Sequence, residues 1–161
     1  MKEVVKSVYG NRVRARTCGI CIHQGKILLV KHTGLGPEGV LWAPPGGGIE
    51  FGESAEDSLK REFKEETGLD VTVKEFLFVN EFISRDLHAI ELFYAVERTG
   101  GELVKGLDPE LAEDQQIIKD TRFVTFDEIG VIPSEKKHNI FNIAKEASEL
   151  LNLRGYFKFC Q

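Results

Sequence analysis

Residues Arg61–Gly68 read REFKEETG, which sets Glu62, Glu65 and Glu66 close together on one short stretch. On a helix they stand at i, i+3 and i+4, where like charges repel and lower stability. A helical wheel at about 100° per residue shows where they point. With Glu62 at zero, Ala55, Leu59 and Phe63 fall at roughly 20°, 60° and 100°, an apolar stripe that must face a core. Glu66 falls at about 40°, inside that stripe, and Glu65 at about −60°, on its border. Asp57, Lys60 and Lys64 take the opposite, solvated side. Acidic runs on helices are usually solvated faces, but these glutamates are not placed like one. Carboxylates on a partly dry face need protons, basic partners or a metal. Arg61 is the one basic residue close on the wheel, and a single guanidinium is not expected to pair with all three. Hard divalent cations such as Mg2+ take oxygen ligand sets of this kind and keep water for a substrate. The wheel favours metal.

The flanks fit such a helix. Ser54 with Asp57 forms a capping-box-like start, and Gly68 is a C-terminal stop. Before it stands PPGGG, residues 44–48. That run makes a tight turn, and its glycines also let the backbone approach a ligand or lend a carbonyl to a cation. It is not a P-loop, because no Gly-Lys-Ser/Thr follows. Upstream, Val13–Ile22 and Lys26–Lys31 read as a hairpin turning at Gln24-Gly25. Downstream, Val71–Arg98 reads as two long antiparallel strands broken at SRDL, with Gly100-Gly101 as a turn after them. KGLDPELAEDQQIIKD (105–120) is expected to be an acidic loop and TRFVTF a strand. DEIGVIP is expected to be a short helix or turn. Ser134 is expected to cap a last helix carrying Ile140, Ile143, Ala144, Ala147 and Leu151, and GYFKFC to add a terminal strand. Many strands with two good helices predict an α/β or α+β sandwich.

The whole chain sets bounds. Its 161 residues fit one domain, 1–161, and 42% hydrophobic with 29% charged residues is ordinary for a soluble protein. A net charge of −5 argues against binding a nucleic-acid polymer. A small anion remains compatible if bound cations reverse the local sign. No apolar run approaches the roughly 18–20 residues of a membrane span. Arg12, Arg14 and Arg16 interrupt any signal-peptide core, so a cytoplasmic protein is expected. Of the three cysteines, Cys18 and Cys21 match C-x-x-C. Residues three apart on a strand face opposite ways, so core packing is expected rather than a shared metal.

Gly47, Glu53 and REFKEETGL at Arg61–Leu69 together fill every fixed position of G-x5-E-x7-R-E-U-x-E-E-x-G-U, where U is bulky and apolar. On those residues, 47–69, the chain resembles the Nudix hydrolase (MutT-like) family. The resemblance implies an α/β/α sandwich with a mixed β-sheet. It also implies Mg2+- or Mn2+-dependent hydrolysis of a nucleoside diphosphate linked to another moiety. By position, Glu62, Glu65 and Glu66 resemble the metal ligands, with the Gly47 carbonyl as a further one. Arg61 and Glu53 resemble the pair that orients the acidic helix. The base that activates water is at the position of Glu62 in parts of the family and in a later loop in others. Here Glu110, Glu113 and Asp114 stand in that loop, and Glu91 is an unexpected charge in a strand. The other reading of the resemblance is a Nudix-fold module that senses a nucleotide without cleaving it, although no acidic box position is lost. A homodimer is expected by family analogy alone.

The substrate is less legible. The proline that some ADP-ribose hydrolases carry beyond the box is absent from SRDLH, as is the tyrosine of some dinucleoside polyphosphate hydrolases. No NADH or coenzyme A signature is present, and the intact box disfavours GDP-mannose. Arg14, Arg16, Trp42 and Arg85 are the candidate substrate contacts, with His88 a weaker one. For Trp42, core packing is the stronger reading.

Overall fold

Gln24 and Gly25 take φ of 50° and 74°, the left-handed pair that a two-residue hairpin turn needs. They join β1 (Val13–His23) to β2 (Lys26–Thr33) as the sequence predicts. The computed structural model describes residues 3–109 and 111–160. After β2 come β3 (Val40–Ala43) and β4 (Gly46–Gly48), then the acidic helix, Ala55–Thr67. A seven-residue helix, Glu3–Tyr9, precedes all of these and was not predicted. It is therefore α1, and the acidic helix is α2.

Both ends of α2 are set locally. The Ser54 hydroxyl accepts from the Asp57 amide, and Gly68 closes the helix at φ 72°, its amide bonded to the Lys64 carbonyl. A β-carbon at Gly68 would meet the Glu102 carbonyl and Val104. Gly68→Ala is therefore expected to cost about 1–3 kcal/mol, read as a lower urea midpoint at unchanged slope.

β5 (Leu69–Ile83) and β6 (His88–Gly101) are the expected long antiparallel pair. The sheet runs β3-β2-β1-β6-β5-β8, with β8 spanning Gly155–Cys160. β4 pairs with β1, and β7 (Ile118–Val124) pairs with β2. β1–β6 and β5–β8 are parallel and the remaining pairs antiparallel, which makes the sheet mixed. Helices cover both faces. Leu59 and Phe63 of α2 join Cys21, Leu28, Leu69 and Val71 on one side. On the other, Cys18, Ile20, Phe78 and Phe93 pack with three short helices, α3 (Phe126–Val131), α4 (Ile140–Ile143) and α5 (Ala147–Asn152). Cys18 and Cys21 are thus buried in different cores, facing opposite ways. α2 lies close to the sheet because β1 has a glycine beneath it: a β-carbon on Gly19 would strike the Phe63 ring.

Three expectations are corrected. Gly100 and Gly101 are not a turn; they extend β6 and pair with Asp70 and Leu69. Gly101 (φ 78°) passes so near the Gly68 carbonyl that only glycine fits. The acidic loop ends early, because Glu113–Gln115 forms a 3-10 turn and Ile118–Asp120 already belongs to β7. The last helix is not continuous. Ser134–Lys136 is a 3-10 turn, and Ala144, extended at ψ 130°, separates α4 from α5. Of the expected apolar positions Ile140 and Ala144 are buried, Ala147 and Leu151 half-buried and Ile143 exposed, with Leu150 turned to the core instead. Among the described residues no helix is long and apolar enough to cross a membrane.

Candidate active site

Arg61 lies at the centre of the acidic face. Its Nε and Nη2 each donate to Glu53 at 3.0 Å, a forked pair. Nη1 donates to Glu62 at 2.9 Å and to Glu65 at 3.1 Å, and Nη2 also reaches the Gly48 carbonyl at 3.0 Å. One guanidinium thus contacts three carboxylates, Glu53, Glu62 and Glu65; as expected it does not pair with all three glutamates of the helix, since Glu66 is held elsewhere. Arg61 anchors the helix to the glycine strand and to the loop before it. Its hydrogen bonds hold the Glu53 carboxyl below the usual carboxylate range.

Glu66 is only 6% exposed, as its place in the apolar stripe requires. One carboxylate oxygen accepts the Gly46 amide at 2.9 Å, and the other lies 3.4 Å from His32 Nε2. Glu62 lies against the glycine strand so closely that a β-carbon on Gly47 would collide with its carboxylate. Burial, and then the neighbouring Glu66 charge, push the Glu62 carboxyl up to about 7 against the pull of Arg61 and Arg16. Glu65 is also raised by burial, against Arg61. The cluster is short of positive charge.

The far end of α2 is tied down by the chain after β6. The amides of Val104, Gly106 and Leu107 donate to the carbonyls of Thr67, Glu66 and Glu65 at 2.9, 3.0 and 3.1 Å. Thr121 in β7 adds a hydroxyl bond to the Glu66 carbonyl at 3.2 Å. These bonds replace the acceptors' missing helical partners and fix the turn that carries two of the three glutamates.

On the sheet side, Arg16 Nη2 donates to the Gly46 carbonyl at 3.1 Å. Glu91 is buried, 3.6 Å from Arg16 Nε, and bonded to Asn80 at 2.7 Å and His138 at 3.0 Å. Burial alone would raise its carboxyl, but His138, Arg16 and Asn80 outweigh that and bring it down to about 2. Arg14 lies over the Tyr9 ring at 4.3 Å, with its guanidinium above Gly48. Trp42 is 7% exposed within the core, with Arg122 4.9 Å and Lys31 5.6 Å from its ring centre. Arg85 is exposed in the loop joining β5 to β6, and His88 pairs with Glu81 at 2.8 Å. Glu113 and Asp114 are exposed on the 3-10 turn; Glu110 lies outside the described residues. The structure therefore brings together Gly47, Glu53, Arg61, Glu62, Glu65 and Glu66, with Arg14 and Arg16 along the glycine strand.

Sequence reasoning missed His32, Asn80 and His138 as neighbours of this site. Each arrives by strand register or chain return, which no local pattern announces. Asp108, whose charge bears on Glu65 and whose carboxylate accepts from Tyr9 at 2.7 Å, was missed within a loop already noted as acidic.

Among the described residues no three His, Cys, Asp or Glu side chains already converge as a metal cage; Arg61 stands between Glu62 and Glu65. The donors nonetheless suit a hard divalent cation. They are carboxylates set against a glycine strand, and their charge is unbalanced.

Comparison with known proteins places the fold among relatives. An ADP-ribose pyrophosphatase of Methanocaldococcus jannaschii is 41% identical over 97 residues, 59% of this chain and 57% of that protein. The chain therefore spans little more than half the length of that curated relative. A crystal structure of a UDP-X diphosphatase superposes with a TM-score of 0.58 at 27% identity, covering 92% of this chain and 66% of that one. A NUDIX hydrolase from Nitrosomonas europaea shares the fold at a TM-score of 0.67 and 17% identity, over 82% and 85% of the two chains. Residues 12–146 match the NUDIX domain family, and the chain belongs to it.

Proposed function

We propose that the protein is a divalent-metal-dependent pyrophosphohydrolase acting on a nucleoside diphosphate linked to another moiety. One observation carries the reading: two carboxylates of one helix, Glu62 and Glu65, share a single arginine with Glu53 from the loop before it, and Glu62 is pressed onto a glycine strand. In this reading Glu62, Glu65, Glu66 and the Gly47 carbonyl hold Mg2+ or Mn2+. When bound, such a cation offsets diphosphate charge and lowers the pKa of a bound water.

The chain's own residues do the rest. Arg61, forked onto Glu53, keeps Glu62 and Glu65 turned to the same side. The Gly46 amide holds Glu66. Glu62 takes the proton from the attacking water, because it stands on the acidic helix against Gly47. Glu91 is a poorer base, since its carboxylate is engaged by His138, Asn80 and Arg16, and Glu113 and Asp114 stand on an exposed turn. Arg14 and Arg16 provide positive charge along the glycine strand for substrate phosphates. Similarity to an ADP-ribose pyrophosphatase and a UDP-X diphosphatase puts nucleoside diphosphate sugars first, even though SRDLH lacks a proline.

The test is a hydrolysis panel with Mg2+ and with Mn2+. It covers ADP-ribose, UDP- and GDP-sugars, dinucleoside polyphosphates, nucleoside triphosphates and oxidised nucleotides. The expected products from a nucleotide sugar are a nucleoside monophosphate and a sugar phosphate. Failure to turn over any member with either metal overturns the proposal.

A further inference from the structure

Glu91 is an acid placed where β-sheet packing has no use for one. Parallel pairing of β1 with β6 sets Arg16 beside it, and antiparallel pairing of β5 with β6 sets Asn80 on its other side. His138, from the segment before α4, completes the group from above, its ring edge-on to Phe93 at 5.4 Å. One Glu91 oxygen accepts from Asn80 at 2.7 Å and lies 3.0 Å from His138 Nε2. The other faces Arg16 Nε at 3.6 Å and Cys18 Sγ at 4.0 Å. Such a buried ionic group confers little stability over an apolar set of equal volume. It can instead fix direction.

The direction is given by what Arg16 holds. Its Nη2 donates to the Gly46 carbonyl at 3.1 Å, while the Gly46 amide donates to Glu66 at 2.9 Å. Gly46 has φ 154°, and a β-carbon there would strike the Thr17 carbonyl. The residue is thus gripped from both sides, by a guanidinium on its carbonyl and a carboxylate on its amide. The peptide that Arg16 holds leads directly into Gly47.

We propose that Glu91 is a positioning residue: held by Asn80 and His138, it keeps Arg16 on the Gly46 carbonyl and so fixes the glycine peptide against which Glu66 is set. The proposal deepens the reading of the acidic site and rests on it for its functional meaning. A line of contacts, His138–Glu91–Arg16–Gly46–Glu66, then joins the segment before α4 to the acidic helix.

Glu91→Gln tests this, because glutamine keeps the shape and the bond to Asn80 but lacks the charge that holds Arg16. Two readouts are needed. In amide hydrogen exchange, Gly46 is expected to exchange at least about tenfold faster, while Phe93, in the same strand as Glu91, stays within about twofold. In Mn2+ titration without substrate, affinity is expected to fall by about 10–100-fold, as for other residues that orient ligands. Arg16→Lys, which keeps the charge but loses the guanidinium that faces Glu91 and Gly46 at once, is expected to do the same. The double variant should be no worse than Arg16→Lys alone. Unchanged Gly46 exchange in either folded variant overturns the proposal, as does an equal rise throughout β6, which marks a merely structural role. If Glu91→Gln does not fold, Arg16→Lys carries the test. If the unaltered protein binds no Mn2+, the reading of the site fails, and Gly46 exchange still decides whether the relay exists.

Discussion

Glu66→Gln is expected to lower kcat/KM by about 10²–10³-fold while leaving the fold in place. The charge at Glu66 serves, in the proposed mechanism, to hold a cation that stabilises the transition state by several kcal/mol, and each 1.36 kcal/mol is tenfold in rate. Glutamine loses that charge but not the local geometry. Its carbonyl oxygen can accept the Gly46 amide now bonded at 2.9 Å, and the backbone carbonyl stays bound by Gly106 and Thr121. Steady-state kinetics on the best substrate of the panel, beside a thermal melt within a few degrees of the parent, check both halves. Near-normal turnover in a folded variant would remove Glu66 from the ligand set.

Phe63→Ala carries the second large effect, on stability. Phe63 is 0% exposed and packs with Leu59, Leu69 and Val71, its ring seated over Gly19. Truncating a buried phenylalanine costs about 3–5 kcal/mol, a large share of the roughly 5–15 kcal/mol of a whole domain. The cavity would open under the helix that carries the glutamates, where Gly19 has no side chain to fill it. Urea unfolding should show the midpoint falling accordingly. A loss below about 1 kcal/mol would mean that α2 is held mainly by its polar ties and not by this core.

What could be read from the sequence was whatever the chain decides locally. Ser54 and Gly68 mark the ends of α2 because a cap is made within one turn, and Gln24-Gly25 marks the hairpin because two residues close it. The wheel placed Glu66 in the apolar stripe, and Glu66 is buried; it placed Arg61 beside Glu65, and they lie 3.1 Å apart. Elements that depend on distant partners were misread. Gly100 and Gly101 look like a turn until Leu69 and Asp70 lie alongside them. The helical spacing of Ile140, Ile143, Ala144, Ala147 and Leu151 does not survive the break: Ile140 and Ala144 are buried, Ile143 is exposed, and after the break Leu150 turns to the core in place of Leu151. Glu91 stood out as a charge in a strand, but its partners come from positions 16, 80 and 138, and no window of sequence contains them.

The run from Glu102 to Asp108 looks like a spacer between strands, the sort of segment in which chains commonly gain and lose residues. Its amides, however, are bonded in step to three successive carbonyls of α2, and a β-carbon at Gly106 would overlap the backbone of Glu65 and Glu66. The number of residues here is therefore dictated by the helix. One residue added or removed would shift every bond by a place and drive a side chain into the acidic turn. The loop at Ser84–Leu87, closed on itself by Ser84 and Leu87, sends its outward bonds instead to the N-terminal segment, where the Asn11 amide and Lys6 meet Asp86. Insertions that diversify this fold can be absorbed there, and not in the length-locked segment behind the glutamates.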